Sequence, residues 1–247
     1  MKLSEKEKAA QKAAFRAMSP EKKLEHILTY YKWPILLALV VLLVLGSVVY
    51  RELTKKEQVL QLALVNVAVG EDMKRELSSD FIEAEGGNPR RQEVYLYPDL
   101  YISENADTLN HEYAYASQMK LMGAIQSQKL DLVIMNREGY DVLSQKGYLA
   151  ELPALLRADP ALAEALAPLL VENEVVLSDN SIEVMLGEAE NRERVTQSAA
   201  NGVALGSLPL FENAGFDSEI YLGVIANGQH AEAALRYLRY LSSAGGH

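Results

Sequence analysis

The sequence predicts an α/β fold, a three-layer and mostly parallel sheet, preceded by a single transmembrane helix. Three observations carry this prediction. Ile35 to Tyr50 is an apolar run without a charge. The stretch "QVLQLALVNVAVG" that follows is apolar nearly throughout, as a strand buried on both faces must be. Beyond it, strand-like and helix-like segments alternate, the grammar of parallel strands joined by right-handed helical crossovers.

The apolar run comes first. As a helix it rises to roughly 24 Å, a little short of a ~30 Å hydrocarbon core. Tyr30, Tyr31 and Trp33 at one end and Tyr50 at the other suit the interface, and Lys32 and Arg51 can snorkel outward. A buried core helix would show a polar face, and this run has none. A cleaved signal would have a short basic start and a small-x-small site after the run. Here 34 residues precede it, no such site follows, and the chain has no cysteine for a lipid anchor. Residues 34–50 therefore read as an uncleaved signal-anchor. Residues 1–33 carry eight Lys and Arg against four Glu, which by the positive-inside rule keeps the amino terminus in the cytoplasm. The reading is a single-pass protein of the cell membrane, with a short linker over 51–56 and an extracellular domain over 57–247. That domain holds thirteen basic and 29 acidic residues, a net charge of −16, which argues against nucleic acid as a partner.

The cytoplasmic segment is helical in composition. "EKEKAAQKAAFRAM" is rich in Ala, Lys and Glu. "SPEKKLEHILTYY" starts a second helix with Ser19 as N-cap and Pro20 at the first helical position. Leu24, Ile27, Leu28 and Tyr31 then form an apolar face, which suits a helix on the inner surface of the lipid bilayer. Charges that merely fix topology would read the same way.

In the outer domain, "QVLQLALVNVAVG" is the first strand, ended by Gly70. "EDMKRELSSDFIEAEGGNP" is a helix with a Gly-Gly-Asn-Pro stop. "RQEVYLYP" is a second strand, "TLNHEYAYASQMKLMGAIQSQ" a long helix, "LDLVIMN" a third strand and "YDVLSQKG" a short helix. "ALAEALAPLL" puts Leu162, Ala165, Leu166 and Leu169 on one helical face. "NEVVLSD" and "SIEVMLGE" read as a hairpin turning at Asp179 and Asn180. Last come "GVALGS", the strand "EIYLGVIAN" and a helix with Ala231, Ala234, Leu235, Leu238 and Leu241 in one stripe. The first and third strands are expected as central parallel neighbours, with the terminal strand in the same sheet.

Two stretches resemble a known family. "LDLVIMNREGYDVLSQKGYLAEL" is similar to a strand, helix and "G-x-L-x-x-L" of type II periplasmic solute-binding proteins. "EIYLGVIANGQHAEAALRYLRYLSS" resembles their carboxy-terminal strand and helix. "GVALGSLPLFENAG" before that strand is similar to membrane-anchored relatives in Gram-positive bacteria. The resemblance covers most of residues 57–243 and implies a solute-binding-protein-like domain. The stretch between Leu152 and Gly202 is too short for a complete second lobe, so the expectation is one lobe with a reduced second and no closing hinge.

The sequence offers no catalytic constellation. "HEYAY" has Tyr115 where a zinc-protease helix needs its second His. The histidines 26, 111, 230 and 247 are scattered, which points away from a metal site. No nucleophile elbow, P-loop or dinucleotide fingerprint occurs. The expectation is a non-enzyme without cofactor or metal. In open α/β sheets a ligand would sit beyond the carboxyl ends of the strands. That singles out Gly70 and Glu71 after the first strand, Asn136, Arg137 and Tyr140 after the third, and Ser207 after "GVALG". Arg137 would pair with a carboxylate and Tyr140 would stack. The plainer alternative is that Gly70 and Asn136 make turns while Tyr140 packs on the sheet. Two functions stay open. One is a membrane-tethered accessory subunit docking on another membrane protein, such as a transporter. The other is a small-ligand capture or sensing protein associated with an ABC transporter.

Overall fold

The computed structural model describes residues 19, 32–103, 111–187, 191–212, 214–216 and 219–243. The two helices expected before residue 32 lie outside the described residues. The chain divides into two compact units, one up to Lys55 and one from Lys56 to His247. In the first, helix α1 runs Lys32–Thr54. Its stretch Lys32–Tyr50 is long and apolar enough to cross a membrane, and none of it is buried. The 23 residues of α1 rise roughly 34 Å. That exceeds the length expected from the apolar run alone, because the helix continues through its polar flanks.

The second unit opens with β1 (Glu57–Val65), α2 (Glu71–Arg75), a π-helical turn (Glu76–Asp80) and α3 (Phe81–Ala84). Next come β2 (Gln92–Leu100), α4 (His111–Gln126), β3 (Leu132–Asn136) and α5 (Arg137–Gln145). The short helices α6 (Leu152–Leu155) and α7 (Pro160–Leu166) lead to β4 (Leu170–Asp179), α8 (Ser181–Leu186) and β5 (Arg194–Ala204). The unit closes with α9 (Pro209–Glu212), β6 (Ile220–Val224) and α10 (Ala231–Ser243).

The six strands form one sheet in the order β2-β1-β3-β6-β5-β4. β1 lies between β2 and β3 and parallel to both, so the first and third strands are neighbours. The terminal strand is in the same sheet, as its apolar helix requires. The sheet is mixed, however, and not mostly parallel: the β3–β6, β6–β5 and β5–β4 pairings are all antiparallel. A parallel neighbour needs a crossover back to the opposite edge, usually through a helix. Among the described residues the segment between β5 and β6 holds only the four-residue α9, and Leu205 N donates to Ile220 O at 3.0 Å across its ends. The chain therefore turns back at the edge it has reached, and β6 runs against β3.

Residues alternate between two apolar layers. Leu60, Leu62 and Leu64 of β1 face a layer closed by Leu77, Phe81, Leu162, Leu166, Leu238 and Leu241. Ala63 and Val65 face a second, with Leu121, Ile125, Tyr140 and Leu143 of α4 and α5. Burial on both sides is what the unbroken apolar run of β1 encodes. The π-helical turn matches a specific need of α10. Tyr237 donates to the Leu77 carbonyl at 2.9 Å and Tyr240 to the Glu76 carbonyl at 3.0 Å. Phe81, just after the turn, stacks edge-on against both rings.

The expected hairpin is absent. "SIEVMLGE" is not a strand; its first six residues are α8, stopped by Gly187 in the left-handed region at φ 76°. The partner of β4 is β5, paired from Leu170–Val203 to Asp179–Arg194. Ile182, Val184 and Leu186 alternate as a strand would, but Ser181 N donates to Asp179 Oδ1 at 2.9 Å and turns the chain before a ladder can form. Only Val203 and Ala204 of β5 pair with β6, so most of the β4–β5 ribbon runs free of the sheet.

Candidate functional site

At the edge where the parallel strands end, two asparagines tie three strands together. Asn66 follows β1 in the left-handed region, φ 56°. Its side-chain amide donates to Ile102 O at 2.7 Å and accepts from Ile102 N at 2.8 Å, replacing a strand neighbour for the chain beyond β2. The same amide nitrogen reaches Asn136 Oδ1 at 3.2 Å. Asn136 Oδ1 in turn accepts from Gly139 N at 3.0 Å and caps α5. A Cβ on Gly139 would lie 3.1 Å from Val65 and 3.2 Å from Met135, so glycine lets α5 start close on the sheet.

Beside this clamp opens a cleft of about 410 Å³, lined among others by Asn66, Asp99, Tyr101, Tyr113, Asn136 and Glu138. Asp99 also has a positive φ, 57°, and its carbonyl accepts from the Tyr113 hydroxyl. Ser103 Oγ donates to Glu138 Oε1 at 2.9 Å.

Of the six residues singled out by sequence, Asn136 alone lines this cleft. Arg137 and Tyr140 stand beside it but serve the domain itself. The Arg137 guanidinium lies over the rings of Tyr140 and Tyr221, 5.7 and 5.8 Å from their centroids, and its Nε is 3.0 Å from Asp141. Tyr140 is fully buried and stacks on Tyr221 with centroids 4.9 Å apart. Burial pushes its phenol well above the ordinary range. Gly70 caps α2 in an extended conformation with open space at its Cβ position, so neither strain nor close approach calls for glycine there. Glu71 turns to Lys74 at 2.8 Å. Ser207 is exposed in a turn closed by the Leu208 N to Leu205 O bond.

The Tyr140 hydroxyl enters a buried polar relay. It lies 2.8 Å from Asn201 Oδ1 and 2.9 Å from Val171 O; Asn201 Nδ2 donates to Ser144 Oγ at 2.8 Å, and Ser144 to Glu174 O at 2.9 Å. Asn201 is the extra residue of a β-bulge, since Val171 pairs with Gly202 and Glu172 with Ala200. The bulge aims its amide inward. At the opposite edge, buried Asp131 accepts from Gln61 N at 2.8 Å and from His230 N at 3.0 Å, with His230 Nδ1 at 3.0 Å. This carboxylate ties β1, β3 and the approach to α10. Among the described residues no group of three or more His, Asp or Glu is placed to hold a metal ion.

Sequence reasoning missed Asn66, Asp99, Tyr113, Glu138 and Asn201. Asn66 had a signal, a lone amide inside the apolar run "LALVNVAVG". Asn201-Gly202 reads as a hairpin turn, but here the glycine makes room for an aromatic ring: a Cβ would sit 2.6 Å from Tyr140 Cζ.

Searches against protein families, curated proteins and solved structures return no match for this chain.

Proposed function

We propose that this protein is a membrane-anchored accessory subunit. The Lys32–Tyr50 stretch would anchor it with the amino terminus inside, and the α/β unit from Lys56 would dock outside on another membrane protein. One observation carries the reading: the side chains that a ligand-gripping crevice would need at the strand ends are engaged with their own domain. Tyr140 is buried in a relay to Asn201, Asn136 is spent on Asn66 and Gly139, and Arg137 lies on two rings and Asp141. An absent second lobe would leave a ligand covered on one side, whereas a good pocket buries roughly 70–90% of a drug-sized molecule.

The cleft of about 410 Å³ favours the second reading, capture or sensing of a small molecule. A thermal-shift screen of the full chain in detergent with sugars, amino acids and short peptides separates the two. The accessory reading expects no shift. A stabilisation of several degrees by one compound, abolished by Tyr113→Ala in the cleft wall, would replace it with the capture reading.

A further inference from the structure

We infer that the cleft between the last turn of α5 and the β4–β5 ribbon binds a phosphoryl dianion carried by a small molecule with an apolar body. This goes beyond the accessory-subunit reading and is independent of it.

The cleft follows from local geometry. On α5, Val142, Gln145 and the C-cap residue Lys146 are three and four positions apart, so they share one helical face. On the ribbon, Asp179 of β4 stands opposite Arg194 of β5, and directly paired residues project from the same side. With Val176 and Arg192 these residues line a cleft of about 500 Å³, a volume within the range of small-molecule sites.

Its charge runs against that of the domain. Three cations and one carboxylate are among the described lining residues, an excess of two positive charges on a domain of net charge −16. Arg192 Nη2 lies 2.9 Å from Asp179 Oδ2, which fixes its guanidinium. Arg194 Nη2 donates to Gln145 Oε1 at 2.7 Å. That neutral amide orients Arg194 without cancelling its charge. A guanidinium has five N–H donors, so both arginines keep others for a ligand. Lys146 is exposed, and its ammonium makes no hydrogen bond or ion pair among the described residues. The last carbonyls of α5 are already taken. Val142 O, Leu143 O and Ser144 O accept from Lys146 N, Tyr148 N and Gly147 N.

Charge and size select the ligand. A phosphate monoester carries about −1.5 to −2 at neutral pH, which matches the excess. The guanidinium fork suits phosphoryl oxygens, and Val142 and Val176 offer apolar contact to the ester group. An amino acid brings an ammonium of its own, which this cleft opposes. A polyanion or an anionic bilayer would also meet the acidic remainder of the domain, which repels it beyond a Debye length of roughly 8 Å. A small dianion meets the cleft alone.

The test is titration calorimetry of the full chain in neutral detergent at constant ionic strength. Phenyl phosphate is the probe and benzoate its monoanionic counterpart. The expected result is saturable binding of phenyl phosphate at one site per chain, at least tenfold tighter than benzoate. Lys146→Gln and Arg194→Gln should each weaken it about tenfold. Arg90→Gln, beside β2 at the opposite edge of the sheet, should leave it unchanged. All three side chains are exposed, and an unchanged thermal midpoint without ligand shows that each variant is folded. Absence of saturable binding, equal binding of benzoate, or parental affinity in both cleft variants would overturn the inference. Saturation by short-chain phosphatidic acid without a response to phenyl phosphate would also overturn it, in favour of a lipid headgroup.

Discussion

Tyr140, Asn201 and Gly202 act as one unit, although 61 residues separate the tyrosine from the asparagine. Removing the hydroxyl in Tyr140→Phe leaves a buried amide oxygen without its donor, which costs about 1–3 kcal/mol. Gly202→Ala should cost a similar amount for a different reason, because its Cβ would stand 2.6 Å from the ring carbon. Urea unfolding of both variants checks this; a loss below about 0.5 kcal/mol in each would show that the relay is slack. Alkali tests a second aromatic group. Burial, then the neighbouring Tyr240, holds the Tyr237 phenol well above its ordinary value, and burial pushes Tyr240 up to about 12. A raised folded pKa favours the protonated form, so this contribution is full below about pH 10 and is lost as pH rises towards 12. Tyrosinate absorbance should therefore rise in two stages. Exposed rings ionise first, and the buried ones ionise together with loss of near-ultraviolet circular dichroism. The sequence pointed to Asn136, Arg137 and Tyr140 because they follow a buried strand. Their inward roles depend on Tyr221 and Asn201, partners that local spacing does not reveal.

Strands were more legible than their directions. The unbroken apolar runs of β1 and β3 announce burial on both faces and hence a central position. The direction of β6 is set by the connection before it, where a hydrogen bond from Leu205 N to Ile220 O across the ends of the segment turns the chain back. Helix α8 was misread because Ile182, Val184 and Leu186 satisfy a period of two, while the stop at Gly187 speaks for a helix. Six residues are too few for periodicity to decide. The ribbon tip also behaves as an element apart from the core. Replacing residues 180–193 with an Asn-Gly turn removes no buried side chain among the described residues and breaks one exposed ion pair, Asp179–Arg192. Exposed pairs contribute about 0–1 kcal/mol. The thermal midpoint should stay within roughly 4 °C of the parent. A larger fall, measured by calorimetry, would show that the tip supports the core.

The division at Lys55 and Lys56 sets two expectations for the chain as a whole. A fragment beginning at Lys56 should be soluble and unfold in one cooperative step, since about 190 residues suffice for an independent core. Aggregation or a broad transition would mean that the anchor or a partner completes it. Protease added to intact cells should remove the acidic domain and spare a tag at the amino terminus; digestion of the tag would reverse the proposed orientation. The placing of β6 also bears on how the protein is made. It is the last of the six strands in chain order, yet it stands between β3 and β5, with three strands on one side of it and two on the other. Until Ile220 and its successors arrive, the nascent chain offers two half-sheets whose inner edges have nothing to pair with. Such a sheet cannot close ahead of β6, so the α/β unit remains pliable until nearly all of its strands have been made. The order of strands then serves as a clock, holding back closure of the sheet until β6 arrives.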